Sequence, residues 1–488
     1  MTQSTVEPST SPEDAGTGSR PSAGRSWLDR YFHITDRGST VAQEVRGGIT
    51  TFMAMCYILL LNPVILGTVD DVDGTVLAHA PLVTATAFAA ALSTLLMGFI
   101  GKVPLALAAG LNVSAALVSQ VIPNMTWPQA MGMCVIYGVV IMLLVVTGLR
   151  EMIMNAIPLP LKHAITMGIG MFVALLGLVK AGFVGVGEGG PVQLGTGAGG
   201  QLVGWPVFFF AVTLLLIFML QARKVPGAIL LGIVVGTVLS IVVTKIGGLT
   251  DKDWGGTTPE LHGSAVSSPD FSLFGDVEFG GWDQIGAISV TMIVFTLVLA
   301  GFFDAMATII GVGTEAKLAD DKGRMPGLSR ALFVDGAGGA IGGVSGASGQ
   351  TVFIESASGA GEGARTGLSS VVTGLFFAAC LFFTPLTQLV PKQVAAAALV
   401  VIGSMMMSAA AHIDWSDKAV SIPVFLTVTL MPFTYNITAG VGAGVISYTA
   451  IKAAQGKFRE PGAFMWVLTG VFIVYFGLNP IEHWLGAK

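Results

Sequence analysis

Apolar runs long enough to cross a bilayer recur along the whole chain, and they constrain its fold more than any other feature. A helix needs about 20 apolar residues to cross the hydrocarbon, and only helices and closed barrels can do so. We predict crossings at 48–66, 83–101, 104–120, 129–148, 160–180, 205–221, 226–246, 286–311, 327–343, 346–360, 366–386, 393–411, 418–435 and 438–453, followed by a further apolar run at 462–478. The pattern predicts an all-α polytopic membrane protein with fourteen transmembrane segments.

Composition supports a bilayer as the solvent. Of the 488 residues, 53% are hydrophobic and 11% are charged, whereas a soluble chain carries about 25% charge. The net charge of −5 gives no reason to expect nucleic acid as a partner. The three cysteines have no metal-ligand spacing, and the sequence has no HExxH and no Walker A lysine motif. We therefore expect no metal, no cofactor, no ATP-driven pumping and no enzymatic activity.

The distribution of arginine predicts the orientation in the membrane. Cytoplasmic loops carry an excess of Lys and Arg, and an N-terminus inside the cell places every arginine in a segment predicted to be cytoplasmic: Arg20, Arg25, Arg30, Arg37, Arg46, Arg150, Arg223, Arg324, Arg330, Arg365 and Arg459. The long loop 247–285 then lies outside; it is acidic, and Lys252 is its one Lys or Arg. We predict a multi-pass protein of the plasma membrane whose N-terminus is a disordered cytoplasmic tail over residues 1–27.

Two crossings are short and interrupted by Gly, Pro and Ser, at 103–115 and 342–360. Asn112 in the first and Glu355 in the second are 243 residues apart (355 − 112), and Asn62 and Asp304 are 242 apart (304 − 62). Two halves of seven crossings each must be inverted relative to one another, and broken helices in matching positions are typical of alternating-access carriers. The alternative is a coincidence among helices rich in Gly and Ala.

Ionisable residues at membrane depth are costly and are usually functional. Asp304 is the one charge between Ile285 and Thr314, and Glu355 is the one charge between Gly336 and Gly361. We predict that both contact the substrate or a proton, and that Asn112 contributes from the matching break. The structural alternatives are an ion pair or a capped helix end, and for Glu355 the start of a half-helix would favour a carboxylate.

Several stretches together resemble one transporter family, and the resemblance covers roughly residues 28–480. They are WLDRYFHITDRGSTVAQEVRGGITTFMAMCYILLLNP, TGLREMIMNAIPLPLKHAITMGIGMFVALLGLVKAG, FFDAMATIIG, VFIESASG followed by EGARTGLSSVVTGL, and FLTVTLMPFTYNITAG. The chain resembles nucleobase–cation symporter family two, the xanthine/uracil permease superfamily, and within it the AzgA-like adenine/guanine/hypoxanthine permeases.

The resemblance implies a fold and a division into domains. It implies a UraA-like 7+7 inverted repeat with two segments built from a short strand and a half-helix. The implied divisions are a tail at 1–27, a core domain at 28–155 and 286–388, a gate domain at 156–250 and 389–456, an extracellular loop at 251–285, and an extra apolar segment with the C-terminus at 457–488.

The resemblance also implies site residues. Glu355 matches the acidic residue of the tenth crossing, Asn112 the Asn of a GLN motif in the third, and Asp304 the second of two Asp residues in the eighth. Gly301 replaces the first of those Asp residues, and Ala305 and Ala307 replace the Thr and Gly that follow. Leu107 and Ala108 stand where the family has Pro and Gly.

We therefore predict a secondary transporter that imports purine nucleobases (guanine, hypoxanthine or adenine), with a proton as the coupling ion and a homodimer as a candidate assembly. The alternative within transport is a carrier of uracil, xanthine or another small anion on the same fold. A channel is a separate class, but the sequence lacks the repeated rings of charge or carbonyls that line a pore.

Overall fold

The computed structural model consists mainly of helices that match the predicted apolar runs. It describes residues 26–148, 157–185, 192–197, 200–254, 258–260, 264–280, 286–318, 325 and 327–477. The helices of the first half are α1 (Trp27–Phe32), α2 (Val41–Met55), α3 (Ile58–Leu66), α4 (His79–Leu96), α5 (Leu111–Ala116), α6 (Trp127–Val146), α7 (Leu159–Lys180), α8 (Trp205–Ala222), α9 (Ala228–Gly247) and α10 (Asp251–Trp254). Those of the second half are α11 (Ala287–Glu315), α12 (Leu328–Ser345), α13 (Ser356–Gly361), α14 (Gly367–Cys380), α15 (Lys392–Met406), α16 (Lys418–Thr434), α17 (Ile437–Ala454) and α18 (Gly462–Phe476).

Four short strands complete the fold: β1 (Leu107–Ala109), β2 (Val184–Gly185), β3 (Gln193–Leu194) and β4 (Gln350–Val352). Two π-helical turns, Met97–Gly101 and Leu117–Val121, extend α4 and α5. Within the described residues, eight helical segments are long and apolar enough to cross a membrane. The predicted count of fourteen crossings stays a prediction, because several of the matching helices are shorter.

The first predicted crossing is bent rather than continuous. It spans Val41–Leu66, but α2 ends at Met55 and α3 begins at Ile58. At the bend the N–H of Leu60 bonds the carbonyl of Tyr57, a tighter i→i+3 contact than that of an α-helix. The bend places the ring of Tyr57 inside the protein, where it is almost completely buried.

The inverted repeat is visible in two pairs of matching elements. Pro158 and Pro391 each precede the first residue of a helix, α7 and α15, and these two helices pack against each other. The strands β1 and β4 come from the two broken crossings and pair antiparallel, as a two-fold relation between the halves requires. The all-α inverted-repeat fold with two strand-containing segments is thereby confirmed.

Helix packing separates the chain into two groups. In one, α12 lies between α6 and α4, while α14 packs on α2 and α4 and α13 packs on α2. In the other, α7 packs on α15 and α16, α16 on α17, and α8 on α9 and α15. The long helix α11 contacts both groups, through α6 and α13 on one side and α7 and α17 on the other.

Basic residues gather on one face of the bundle. The guanidinium of Arg37 donates to the carbonyls of Lys102 and Arg365, and Arg365 donates back to the carbonyl of Arg37. We call this the basic face. The loop segment 264–280 bonds to chain at the other end of the helices, for example from the N–H of Glu278 to the carbonyl of Pro128. We call that end the loop face.

The structure adds detail to three of the predicted segments. Ser26 and Trp27 belong to α1 and its cap rather than to a disordered tail, because the Ser26 hydroxyl accepts the N–H of Asp29. The predicted loop 251–285 contains the short helix α10, where Trp254 is buried against α8. The run 462–478 forms α18, which packs against α17 and is 15 residues long.

Candidate functional site

The two broken crossings meet in a small buried sheet. Leu107 pairs with Val352, Ala108 with Thr351 and Ala109 with Gln350, and all six residues are buried. The antiparallel register makes the helices that follow, α5 and α13, begin at opposite ends of this sheet. Backbone groups at such a depth must be satisfied by protein, and the strand pairing satisfies them.

Buried side chains hold both strands in place. The carboxylate of Asp335 on α12 accepts the N–H of Val352 at 3.0 Å and the hydroxyl of Thr351 at 3.1 Å. The hydroxyl of Thr94 on α4 bonds both the N–H and the carbonyl of Leu107. Asp335 lies within the predicted crossing 327–343 but was not among the predicted site residues.

Glu355 lies at the start of α13 and is half-buried. Its carboxylate accepts a hydrogen bond from the hydroxyl of Tyr57 at the bend between α2 and α3. The side chain does not cap α13 by bonding a backbone N–H in the described part of the chain. The alternative that Glu355 serves as a helix cap is therefore wrong for this structure, and a partly accessible carboxylate remains.

Asn112 lies in the first turn of α5 and is 4% exposed. Its Oδ1 accepts the N–H of Val113 at 2.9 Å. Its Nδ2 has no hydrogen-bond partner among the described residues. A buried amide donor without an acceptor is costly and calls for an explanation, such as a ligand that supplies the acceptor.

Asp304 lies in α11, but its side chain is outside the described residues, as are the side chains of Phe302 and Phe303. The helix itself contacts α5, β4 and α13. The structure thus brings the element that carries Asp304 against the elements that carry Asn112 and Glu355, and it leaves the contacts of the carboxylate itself a prediction.

Two of the departures from the family pattern, Gly301 and Leu107, have structural reasons. A side chain at Gly301 would collide with the hydroxyl and ring of Tyr137, which is fully buried on α6. Tyr137 therefore occupies the space where the family has a first Asp. At Leu107, the backbone N–H donates to Thr94 at 2.9 Å, a bond that a proline could not make.

Sequence reasoning also missed the polar groups that surround the site. Tyr57 lies inside a long apolar run, where the sequence does not distinguish it from a packing tyrosine. Asn62 is completely buried and fully bonded: its Nδ2 donates to Thr86 and to the carbonyl of Ala347, and its Oδ1 accepts from Ser114. This saturated network makes Asn62 a structural residue, in contrast to Asn112.

Comparison with known proteins agrees with this arrangement. A family model described as "Permease family" matches residues 42–442, which includes both broken crossings. The chain belongs to this permease family. As a permease it is 33% identical to the adenine permease AdeP of Escherichia coli (strain K12) over 456 residues, which cover 93% of this chain and 96% of that protein.

A further relative supports the same assignment, and two solved structures are similar in fold. The permease is 32% identical to the guanine/hypoxanthine permease PbuG of Bacillus subtilis (strain 168), covering 92% and 99% of the two chains. The transmembrane domain of the cyanobacterium bicarbonate transporter BicA has a TM-score of 0.61 at 15% identity, covering 82% of this chain and 97% of that one. SLC26A9 has a TM-score of 0.61 at 13% identity, with coverages of 89% and 68%. These structures share the fold.

Proposed function

We propose that this permease carries purine nucleobases across the membrane. One observation carries the proposal: the two broken crossings end in complementary groups, a half-buried carboxylate at Glu355 and a buried amide donor without a partner at Asn112. A purine base offers both N–H donors and ring or carbonyl acceptors on its edges. Relatives that match over most of their length are named adenine permease and guanine/hypoxanthine permease, which supports the same class of substrate.

The chemistry of recognition follows from these groups. The ionised Glu355 accepts two hydrogen bonds from adjacent N–H groups, which the N1–H and N2–H of guanine provide; hypoxanthine provides N1–H. The Nδ2 of Asn112 donates to a carbonyl or ring nitrogen. The Tyr57 hydroxyl donates to Oε1 and fixes the orientation of the carboxylate, so Oε2 and the second lone pair of Oε1 accept the N–H groups of the base. Phe353 is buried in the packed core, so it supports the strand rather than stacking on the base.

Competition for uptake tests the substrate. Labelled hypoxanthine uptake would be measured in cells that lack their own permeases, against unlabelled adenine, guanine, hypoxanthine, xanthine, uracil, inosine and adenosine. We expect the purine bases to compete and the nucleosides inosine and adenosine to fail, because a ribose does not fit beside a closed gate. Inhibition by uracil alone would favour the alternative carrier, and equal inhibition by inosine would contradict the pocket.

A proton is the coupling ion in this proposal, and Asp304 is its carrier. Asp304 is the one charge in a long apolar stretch of α11, and a carboxylate removed from water binds a proton more readily. We expect uptake to follow an inward proton gradient and Asp304→Asn to uncouple the two. Dependence on sodium would eliminate the proton. Uptake by Asp304→Asn that still collapses with the gradient would move the proton site elsewhere.

The two groups of packed helices form the core and gate domains of this proposal, and their relative movement provides alternating access. The group around α12 and α14 carries both strands and Glu355, so it is the core. The basic face lies in the cytoplasm, together with the N-terminus, and the bilayer is the plasma membrane. Labelling of single cysteines placed on the two faces, with an impermeant thiol reagent in intact cells, tests the orientation.

A further inference from the structure

A second polar cluster lies apart from Asn112 and Glu355. It consists of Gln120 in the π turn after α5, Thr296 on α11 and Thr438 in the first turn of α17, and all three are buried. The hydroxyl of Thr438 lies 2.5 Å from Oε1 of Gln120 and 3.1 Å from the hydroxyl of Thr296. The cluster joins α17, a helix of the gate group, to α5 and α11.

The position of this cluster follows from the sequence spacing. Gln120 is eight residues after Asn112, and Thr296 is eight residues before Asp304. Eight residues of helix advance about 12 Å. Both steps lead toward the loop face, because α6 begins there after Gln120 and α11 begins there before Thr296. The cluster thus lies about 12 Å from the candidate site toward the loop face.

The π turn brings Gln120 toward the side of the helix that carries Asn112. In a regular α-helix, residues eight apart point about 80° apart. The wider π turn at Leu117–Val121 advances the chain by fewer degrees per residue and reduces this angle. Turns of this kind occur frequently at functional sites. Asn112 and Gln120 therefore form two steps along one side of the segment.

Only one of the two polar atoms in the Gln120 side-chain amide has a hydrogen-bond partner among the described residues. Its Oε1 accepts the Thr438 hydroxyl, while its Nε2 is buried and has no hydrogen-bond partner among the described residues. Leaving such a donor unpaired is costly. A carboxamide bonds the edge of a purine with both atoms at once, as Gln does with N6 and N7 of adenine. A base at this position can supply both the acceptor that Nε2 lacks and a donor to Oε1 in place of Thr438: N7 and N6–H in adenine, or O6 and N1–H in hypoxanthine and guanine.

We propose that Gln120 is an outer contact for the purine and that its bond to Thr438 is a latch which the arriving base displaces. The inference rests on the proposed function and adds a second recognition residue to it. Once the base takes both atoms of the Gln120 amide, α17 is no longer tied to the π turn and α11. The gate group is then released from the core group on the loop face, and the base passes to Asn112 and Glu355.

Two substitutions with opposite expected effects test the latch. Thr438→Val removes the competing hydroxyl at nearly the same volume, so we expect the KM for hypoxanthine uptake to fall about 2- to 10-fold. Gln120→Leu removes both atoms that bind the base, so we expect KM to rise roughly tenfold. A merely structural cluster would lower the melting temperature in both variants and leave KM unchanged or raised in both, which would overturn the proposal.

Thr449→Val is the matched control. Thr449 is a buried threonine on the same helix α17, and its hydroxyl bonds Thr469 on α18 at 2.8 Å, away from the core group. We expect its KM to equal that of the wild type. If the wild type carries no purine, the proposed function fails; if it carries purines and both latch variants keep the wild-type KM, this inference alone fails.

Accessibility provides a second readout that does not depend on KM. We expect Ala439→Cys, which lies beside Thr438, is half-buried and keeps the latch hydroxyl, to react with an impermeant maleimide added from outside, and to do so faster when hypoxanthine is present, because the base opens the latch. Labelling that hypoxanthine leaves unchanged would overturn the displacement step even if transport continues.

Discussion

The segments Leu107–Ala116 and Gln350–Gly361 are built on one plan, a buried three-residue strand followed within a few residues by a six-residue helix. Their polar side chains differ in kind. The first segment contributes the amide of Asn112, which is almost completely buried and has a donor without a partner among the described residues. The second segment contributes the carboxylate of Glu355, which is half-buried and accepts a hydrogen bond from Tyr57. An inverted repeat has thus diverged into a donor half and an acceptor half around one sheet.

The difference also concerns how each strand is anchored. A hydroxyl, that of Thr94, holds β1, whereas the buried carboxylate of Asp335 holds β4. Losing a hydrogen bond to a charged group costs more than losing a neutral one. We therefore expect substitutions in the acceptor half to cost more than substitutions in the donor half, both in the free energy of unfolding and in the free energy of ligand binding.

The largest expected effect is at the acceptor half. Glu355→Gln removes a charge-assisted hydrogen bond worth about 1.5–3 kcal/mol, so the Kd for purine should rise roughly 10- to 100-fold. The melting temperature should stay unchanged, because the side chain does not cap α13. Binding to purified protein measures both quantities. The exposed Glu362 at the end of the same helix provides the control Glu362→Gln; equal Kd values for the two variants would remove Glu355 from the site.

At the donor half we expect a smaller loss of affinity without a loss of stability. Asn112→Ala removes a neutral donor, so Kd should rise about 2- to 10-fold. The free energy of unfolding should hold or increase, because the variant relieves a buried unpaired N–H. Asn62→Ala is the matched control: its amide is fully bonded, and the variant should lose about 1–3 kcal/mol of stability. If Asn112→Ala lowers the free energy of unfolding and leaves Kd unchanged, then the side-chain amides of Asn112 and Asn62 both have a structural role only.

Tyr57→Phe sharpens the contrast between the halves. The variant keeps the buried ring and removes the hydroxyl that orients Glu355. Because the hydroxyl acts through the carboxylate, we expect Kd to rise only about two- to threefold. In the Glu355→Gln background the same change should have a smaller effect, since the two residues form one interacting pair. Additive effects in this double-mutant cycle would separate Tyr57 from the site.

The smallest effect on affinity is expected at Gly301. Gly301→Ala forces a methyl group against Tyr137, and overpacking of a buried position costs about 1–3 kcal/mol. The Kd for purine should remain that of the wild type, while the melting temperature falls. Tyr137→Phe in the same chain should restore part of the loss by removing the hydroxyl. If the double variant Gly301→Ala, Tyr137→Phe melts at the same temperature as Gly301→Ala alone, then contacts other than the Tyr137 hydroxyl make Gly301 necessary.

Much of the fold was predictable because a helix that crosses a bilayer needs an apolar run of a certain length, and such runs are visible directly in the sequence. The broken crossings and the equal spacing of their polar residues leave signals in the sequence, and the structure adds the antiparallel pairing of the two strands. Glu355 and Asn112 could be selected as candidates, since a polar group within an apolar run stands out, and their role at the site stays a prediction. The resemblance to a known family supplied the fine division of the repeat.

The partners of these residues were not predictable, because they are far away in sequence. Tyr57 and Glu355 are 298 residues apart (355 − 57), and a tyrosine in an apolar run is not distinguishable from a packing residue. Asp335 lies in the middle of the predicted crossing 327–343, but no neighbour in sequence indicates that its carboxylate bonds the strand β4. The π turn that positions Gln120 has no signature in the letters LVSQV, since it follows from how the segment packs.

The two paired strands are synthesised at different times, because they are far apart in the sequence. Ala108 and Thr351 face each other across the sheet but are 243 residues apart (351 − 108). At a synthesis rate of about 5–20 residues per second, roughly 12–50 s pass between the appearance of the first strand and that of its partner. During this interval the edge of Leu107–Ala109 has no backbone partner within a membrane that offers none. The nascent chain must therefore keep this edge at the membrane surface or within the insertion machinery, and truncation of the chain before residue 350 should leave a first half that cannot settle in the bilayer.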